Sequence, residues 1–372
     1  MSEPEIIDIA GSTDPSFAEF PEVFARAIAA QGGGGAALTV IHHGRTVVDL
    51  VGGTYRPDTV QLVFSVSKAL TAIAALHAAD AGTLDLDEPL GERWVEFRKR
   101  STASITPRMV LSHRSGIASL DRALSYREIL SGAGEEAVAA QEPYWEPGTR
   151  HGYHAFTFGP LMDGIFRRTL GMTVGAYLAS QIVRPRGLDI WLGFPDDLHP
   201  RLAPVRYQHG AVSRSRAAFA AASGIPTGTT SALAREMDVY NGPGFARAGF
   251  PSSSGVASAR SLAELFAATM DESLLAPASR RDLVGELSRG TDAVLGVETA
   301  FSTGMQLPFP QFPMFGPSSY GHEAAGGSFA IADPEADLVV AWTTDMFPRM
   351  AGASPSGLAL IDTIRHLLRR QA

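Results

Sequence analysis

Ser65 and Lys68 stand three residues apart in Val63-Phe64-Ser65-Val66-Ser67-Lys68, an S-x-x-K arrangement. Residues i and i+3 share one face of a helix, so the amine of 68 can lie beside the hydroxyl of 65. A serine hydroxyl is a weak nucleophile until a neighbouring base takes its proton, and a lysine whose pKa falls on burial can be that base. At a helix start, Ser65 would also sit at the positive end of the helix dipole, which favours developing negative charge. The chemistry these two residues suggest is acyl transfer through a serine ester, an acyl-enzyme. By itself the spacing is a weak signal, because about one S-x-x-K arises by chance in an average chain of this length. The plain alternative is a serine that caps the helix and a lysine that snorkels to the surface.

Composition strengthens the first reading. Of the 31 basic residues only Lys68 and Lys99 are lysines, and the chain has a single Asn, Asn241. In so Arg-rich a chain, a lysine marks a place where arginine does not serve, and the physical difference is that a desolvated lysine can lose its proton. Lys99 lies in the charged stretch Phe97-Arg98-Lys99-Arg100 and reads as a solvated residue. Lys68 lies in the apolar run VFSVSKALTAIAALHAA.

The elements that must position the pair follow from periodicity and punctuation. Residues 65–81 read as a helix that is apolar on every face, hence buried, and Gly82 is a natural C-terminal stop. Residues 16–31 read as an amphipathic helix ending at the glycine run 32–35. Residues 36–53 read as two strands turning near His43-Gly44. From 83 to 290 the sequence is rich in Ala, Arg and Pro, with short helical patterns and few strand signals. From about 318 strands return in YGHEAAGGSFAIADPEADLVVAWTTDM, and SGLALIDTIRHLLRR closes the chain as an amphipathic helix. These features predict an α/β fold of the α+β type, with an antiparallel sheet flanked by helices. Residues 1–88 and 291–372 would form the sheet-bearing lobe and 89–290 an inserted, mostly helical lobe, with the site between them.

The segment from Val63 to Leu90 resembles the nucleophile helix of the serine β-lactamase and penicillin-binding-protein superfamily. Leu111-Ser112-His113-Arg114-Ser115-Gly116 resembles that superfamily's L-S-H-T-S-G. Glu146-Pro147-Gly148 before Gly152-Tyr153-His154 resembles E-P-G…Y-x-N, and Gly321-His322-Glu323-Ala324-Ala325-Gly326-Gly327-Ser328 resembles the strand bearing K-T-G or its H-x-G variants. Within the superfamily the pattern resembles family VIII carboxylesterases and their class C β-lactamase relatives, over nearly the whole chain. The resemblance implies Ser65, Lys68 and Tyr153 as catalytic residues. It also implies an oxyanion hole from the backbone N–H groups of Ser65 and Ala325, and substrate contacts from His322, Gly326 and Gly327. Whether Lys68 or Tyr153 takes the Ser65 proton stays open, because the two titrate as a coupled pair.

Two departures bear on the substrate. Ala155 stands where Y-x-N has Asn, and His322, largely neutral at pH 7, stands where K-T-G has Lys. Neither can do its counterpart's work on a β-lactam amide or carboxylate. Short-chain acyl esters are therefore expected as substrates, and the protein reads as a serine hydrolase of the carboxylesterase type. Acyltransferase, weak β-lactamase and D-aminopeptidase activities are the alternatives on the same acyl-enzyme, and a non-catalytic ligand-binding scaffold is the non-enzyme one. The Pro-rich aromatic stretch Met305–Phe315 is a candidate lining for an acyl pocket, or else plain packing.

Other chemistries find little support. There is no G-x-S-x-G elbow; Gly326-Gly327-Ser328-Phe329-Ala330 is a near miss. His42-His43 and His151-x-x-His154 lack a third ligand at a recognisable spacing, so no metal and no cofactor is expected. With no Cys, thiolate catalysis and disulfides are excluded. A net charge of −8 with no extended basic run argues against nucleic acid as a partner. No stretch is apolar enough to span a membrane, and the acidic N-terminus lacks the apolar core of an export signal, so a cytoplasmic location is expected.

Overall fold

The computed structural model of the protein describes residues 7–208, 225, 237–348 and 354–371. The start of the acidic N-terminal stretch and part of the Ala/Arg-rich middle read above lie outside these residues.

Helix α1 spans Phe20–Ala30, shorter than the expected 16–31, because Asp14 caps a separate turn of 3-10 helix over Pro15–Phe17. Its buried residues Phe20, Phe24, Ala27 and Ile28 recur at helical spacing. The strands in chain order are β1 (Ile9–Thr13), β2 (Gly35–His42), β3 (Arg45–Gly53), β4 (Gln61–Phe64), β5 (Ile190–Leu192), β6 (Arg206–Tyr207) and β7 (Gly255–Ala257). They continue with β8 (Ser288–Thr291), β9 (Glu298–Phe301), β10 (Tyr320–Glu323), β11 (Phe329–Asp333), β12 (Leu338–Thr344) and β13 (Met346–Phe347).

The main sheet is antiparallel with the order β1-β3-β2-β12-β11-β10, so both ends of the chain contribute to it. β2 and β3 turn at His43 and Gly44, both with positive φ, as a tight hairpin of matching twist needs. Alternation along the strands sends two sets of side chains to two cores. On one face Leu38, Val40, Ile331, Val340 and Trp342 pack with α1 and with the C-terminal helix Pro355–Gln371. On the other, Ala37, Ile41, Ala330, Val339 and Ala341 pack with the helix Ala259–Ala268 and with α2, the helix Val66–Asp80.

α2 is buried over most of its circumference, from Val66 to Ala78, and Gly82 stops it in the left-handed region as anticipated. Two features go beyond what the periodicity showed. Short strands β5 and β7, three residues each, join β4 in a second sheet of order β4-β7-β5. They are too short to show alternation. The Met305–Phe315 stretch, open above between pocket lining and plain packing, is largely packed into the protein: Met305, Phe312 and Met314 are fully buried, and Phe309, Phe312 and Met314 join the core beneath Trp342. Gln306 pairs with Gly321, so the stretch also borders the main sheet at β10.

Candidate active site

The turn from β4 into α2 is unusual. The β4–β7 register shifts between Leu62 and Phe64, and Phe64 holds a positive φ of 43°, a conformation that non-glycine residues adopt only when surroundings enforce it. The enforcement is visible. The Ser67 hydroxyl donates to the Phe64 carbonyl and accepts the Gly255 N–H at 2.8 Å. The Phe64 ring packs edge-on against Tyr240 and Phe347. Ser65 follows as the first residue of the helical turn, and its side chain makes no capping hydrogen bond. The plain reading of Ser65 as a helix cap therefore fails, and Ser67 is the serine that serves the turn.

Lys68 is fully buried, so it does not snorkel. Its ammonium nitrogen donates to the backbone carbonyls of Ala155, at 3.2 Å, and Ser252, at 2.9 Å. It lies 4.7 Å from the centroid of the Tyr153 ring and 5.6 Å from that of Phe158. Both hydrogen-bond partners are neutral, and burial brings the pKa of Lys68 down from 10.5 to about 7. Half-buried Tyr153 is hydrogen-bonded to Ser65, and its phenol moves the opposite way: burial raises its pKa, with carboxylates of Glu323 and Asp292 adding to the effect. Ser65, Lys68 and Tyr153 thus come together, from one helix and one loop 87 residues further on.

Tyr153 is held by Asp292, which no motif marks, and by the histidines around it. Its backbone N–H donates to both carboxylate oxygens of Asp292, at 3.1 Å each. Asp292 lies in the β8–β9 turn. Buried His113, with φ of 58°, packs tilted against the Tyr153 ring with 4.9 Å between ring centres, and its Nδ1 accepts the His154 N–H at 3.1 Å. His154 bonds Ser115 Oγ through Nε2 at 2.7 Å and the Gly152 carbonyl through Nδ1 at 2.6 Å. His151 bonds Thr299 Oγ1 at 2.9 Å. His151 and His154 are engaged with separate partners, and no group of three or more His, Asp or Glu able to hold a metal occurs among the described residues. Burial presses His154 down to about 4 and His113 well below the ordinary histidine value. Both are neutral at pH 7.

On β10, His322 is buried and its ring lies 6.2 Å from that of Tyr153. Its Nδ1 bonds the Glu323 carbonyl at 2.5 Å, and its Nε2 has no partner among the described residues. Burial, then the Lys68 charge, press its pKa to about 3. The turn after it closes with Ala324 N–H to Ser328 and Gly327 N–H to Ala324, both 2.9 Å. The N–H groups of Ser65 and Ala325 make no backbone hydrogen bond among the described residues. The two glycines serve the turn. A side chain on Gly326 would collide with the Phe64 ring, and Gly327 has a φ of 85°. Gly326 thus packs the β10–β11 turn directly on the residue before Ser65.

The Beta-lactamase family pattern matches residues 20–359. The chain belongs to that family. It is 29% identical over 362 residues to the Esterase/beta-lactamase LipL of Mycobacterium tuberculosis, covering 89% of this chain and 81% of LipL. Among solved structures it is similar to a penicillin-binding protein homolog from Caulobacter crescentus, with TM-score 0.83, 30% identity, and coverage of 97% of this chain and 100% of that one. EstA from Arthrobacter nitroguajacolicus Rue61a gives 0.83, 28%, 97% and 98%. A family VIII carboxylesterase at 24% identity, TM-score 0.85, shares the fold over 97% of this chain and 100% of its own. The chain is thus a serine hydrolase of the β-lactamase fold with esterase relatives. No helix among the described residues is long and apolar enough to cross a membrane.

Proposed function

We propose that this β-lactamase-fold hydrolase is a carboxylesterase acting on short-chain acyl esters, with Ser65 as nucleophile, Lys68 as base and Tyr153 as the proton-carrying partner. The observation that carries the reading is the pair of carbonyls on Lys68. A neutral amine has two N–H donors and one lone pair. With its N–H groups given to Ala155 and Ser252, the lone pair is left for a third direction, and Ser65 lies one helical turn before it. A pKa near 7 lets Lys68 be neutral at working pH, whereas Tyr153, with its raised pKa, keeps its proton. That order favours Lys68 as the base.

Ser65 Oγ attacks the ester carbonyl as its proton passes to Lys68. The carbonyl oxygen, now negative, is met by the N–H groups of Ser65 and Ala325; one such donor is worth about 2.7–4 kcal/mol of barrier. The C–O bond to the alcohol breaks, and that oxygen takes a proton from Tyr153, which is refilled from Lys68. Water then attacks the acyl-enzyme by the same route in reverse, with Lys68 again taking the proton. The acid is released and Ser65 regains its hydrogen.

The neutral character of His322 and the methyl group at Ala155 favour uncharged esters over β-lactams, because neither supplies a cation for a carboxylate or an amide to hold one. LipL is named both an esterase and a beta-lactamase, which supports this class of hydrolase without ranking the two substrates. A panel of p-nitrophenyl esters beside nitrocefin tests it. Acetate and butyrate esters should turn over faster than nitrocefin, and the reverse ranking would overturn the substrate assignment.

A further inference from the structure

The Tyr153 loop and the β8–β9 hairpin are zipped together along three residues. Ala293 N–H donates to the His151 carbonyl at 3.0 Å. Tyr153 N–H is shared between the two oxygens of Asp292, and His151 Nε2 meets Thr299 Oγ1. Gly152 between them has no room for a side chain: a Cβ would lie 2.8 Å from Trp145 and 3.0 Å from Val294. Asp292 sits at the centre of this seam and is 1% exposed. Besides Tyr153, its Oδ1 accepts Val294 N–H and Leu295 N–H at 2.8 Å each, and its Oδ2 accepts Thr299 Oγ1 at 3.2 Å. No Lys or Arg pairs with it among the described residues.

A buried carboxylate is costly, and it persists only where hydrogen bonds replace its water. Here they all come from neutral donors, so the negative charge is fixed in place without being cancelled by a cation. A loop of this kind needs no charged residue merely to close: an asparagine or serine could receive the Val294 and Leu295 N–H groups. What a carboxylate adds is a charge tied directly to the backbone of Tyr153.

We propose that Asp292 is a positioning residue for Tyr153: its two bonds to the Tyr153 N–H clamp the backbone so that the hydroxyl meets Ser65, and the fixed negative charge at that backbone disfavours the phenolate, so that the phenol keeps the proton it hands to the leaving alcohol. The inference rests on the reading of Tyr153 given under Proposed function. Glu323 acts on the phenol in the same direction. His113, tilted against the same ring, is neutral and adds no charge, and Lys68, 4.7 Å from the ring centre, opposes that field only while it is protonated. His151, which reaches Asp292 through Thr299, is itself kept neutral by burial.

The test separates position from charge. Tyr153 is replaced by 3,5-difluorotyrosine, whose phenol titrates in an accessible range, and its titration is followed by fluorine NMR in the full-length protein with Asp292, Asp292→Asn and Asp292→Glu. Steady-state ester hydrolysis is measured on the same backgrounds without the label. Asn removes the charge and keeps an acceptor oxygen. Its fluorotyrosine should titrate lower by about half a pH unit or more, and its kcat should fall at least tenfold with KM within about twofold. Glu keeps the charge and moves the carboxylate by one methylene. Its titration should stay near that of the parent while kcat falls. If Asp292→Asn does not fold, Asp292→Glu still decides the clamp: an unchanged kcat there overturns it. An unchanged titration and unchanged kcat in Asp292→Asn overturn the whole inference. Tyr153→Phe distinguishes the two levels. If it is inactive while both Asp292 variants are normal, only the role of Asp292 fails. If it keeps full turnover, the reading of Tyr153 fails and takes this inference with it.

Discussion

Lys68 and Tyr153 meet inside the protein with the lysine nitrogen 4.7 Å from the centre of the tyrosine ring, and burial moves their pKa values in opposite directions. The lysine falls to about 7 and the phenol rises. Desolvation disfavours the charged form of each group, which is the ammonium for one and the phenolate for the other. The two groups, whose ordinary values lie close together, are thus driven apart, so at neutral pH the pair is an amine able to accept a proton beside a phenol that holds one. That division of labour is what the predictions below test.

Lys68→Arg keeps a cation and discards the base, since guanidinium does not lose its proton at any working pH. Ester hydrolysis should fall by about 10²–10⁴-fold, the usual range for a lost general base. Circular dichroism should show a folded protein. Near-normal turnover would mean that Lys68 acts only as a charge.

The base must be neutral to work, so kcat/KM, which reports the free enzyme, should rise with pH through about 7 and then level off. Stability carries the same signature with a definite sign. In the folded protein Lys68 gives up its proton near 7, while in the unfolded chain it holds it to the ordinary value of 10.5. Between those pH values the unfolded chain binds more protons, so the free energy of unfolding rises with pH there, by at most about 1.4 kcal/mol per pH unit. Below pH 7 both states are protonated and the cost of burying the ammonium is present in full. Denaturant titrations of the parent and of Lys68→Met should differ in slope across this window; equal slopes would contradict the lowered pKa.

Ser65 and Ser67 separate chemistry from scaffolding. Ser67→Ala loses the bonds to Phe64 and Gly255 and leaves a buried N–H unpaired, which should cost about 1–3 kcal/mol. Ser65→Ala removes no capping bond and should melt near the parent temperature while abolishing hydrolysis. Thermal melts and ester assays on the two variants check this, and an active Ser65→Ala would refute the assignment.

Gly326→Ala tests the contact between the β10–β11 turn and Phe64. The added methyl would collide with the Phe64 ring, so either that ring or the turn that carries Ala325 must shift. Overpacking of this kind costs roughly 1–3 kcal/mol, and a displaced oxyanion donor should slow acylation by about 10²-fold. Stopped-flow acylation rates with a p-nitrophenyl ester measure it.

Much of this was legible in the residues, for physical reasons that differ by element. α2 announces itself because it is long, apolar on every side and stopped by Gly82. β10, β11 and β12 do so because turns bound them closely. β5 and β7 are hidden because a three-residue strand shows no period. Ser65 and Lys68 stood out by type and spacing and Tyr153 by the likeness of its stretch to the superfamily's Y-x-N, but what sets their chemistry did not. The carbonyls of Ala155 and Ser252 belong to the backbone and leave no mark in side-chain identity, and Asp292 lies 139 residues from the tyrosine it holds. The Met305–Phe315 aromatics were ambiguous because an apolar loop looks the same in sequence whether it lines a pocket or fills a core.

The central claim is that Ser65 becomes an ester. Incubating the folded protein with a fluorophosphonate and locating the adduct by peptide mass spectrometry tests it most directly. The account predicts one adduct per chain, on Ser65, absent in Ser65→Ala and strongly slowed in Lys68→Arg. An unlabelled folded protein, or an adduct on any other serine, would contradict it.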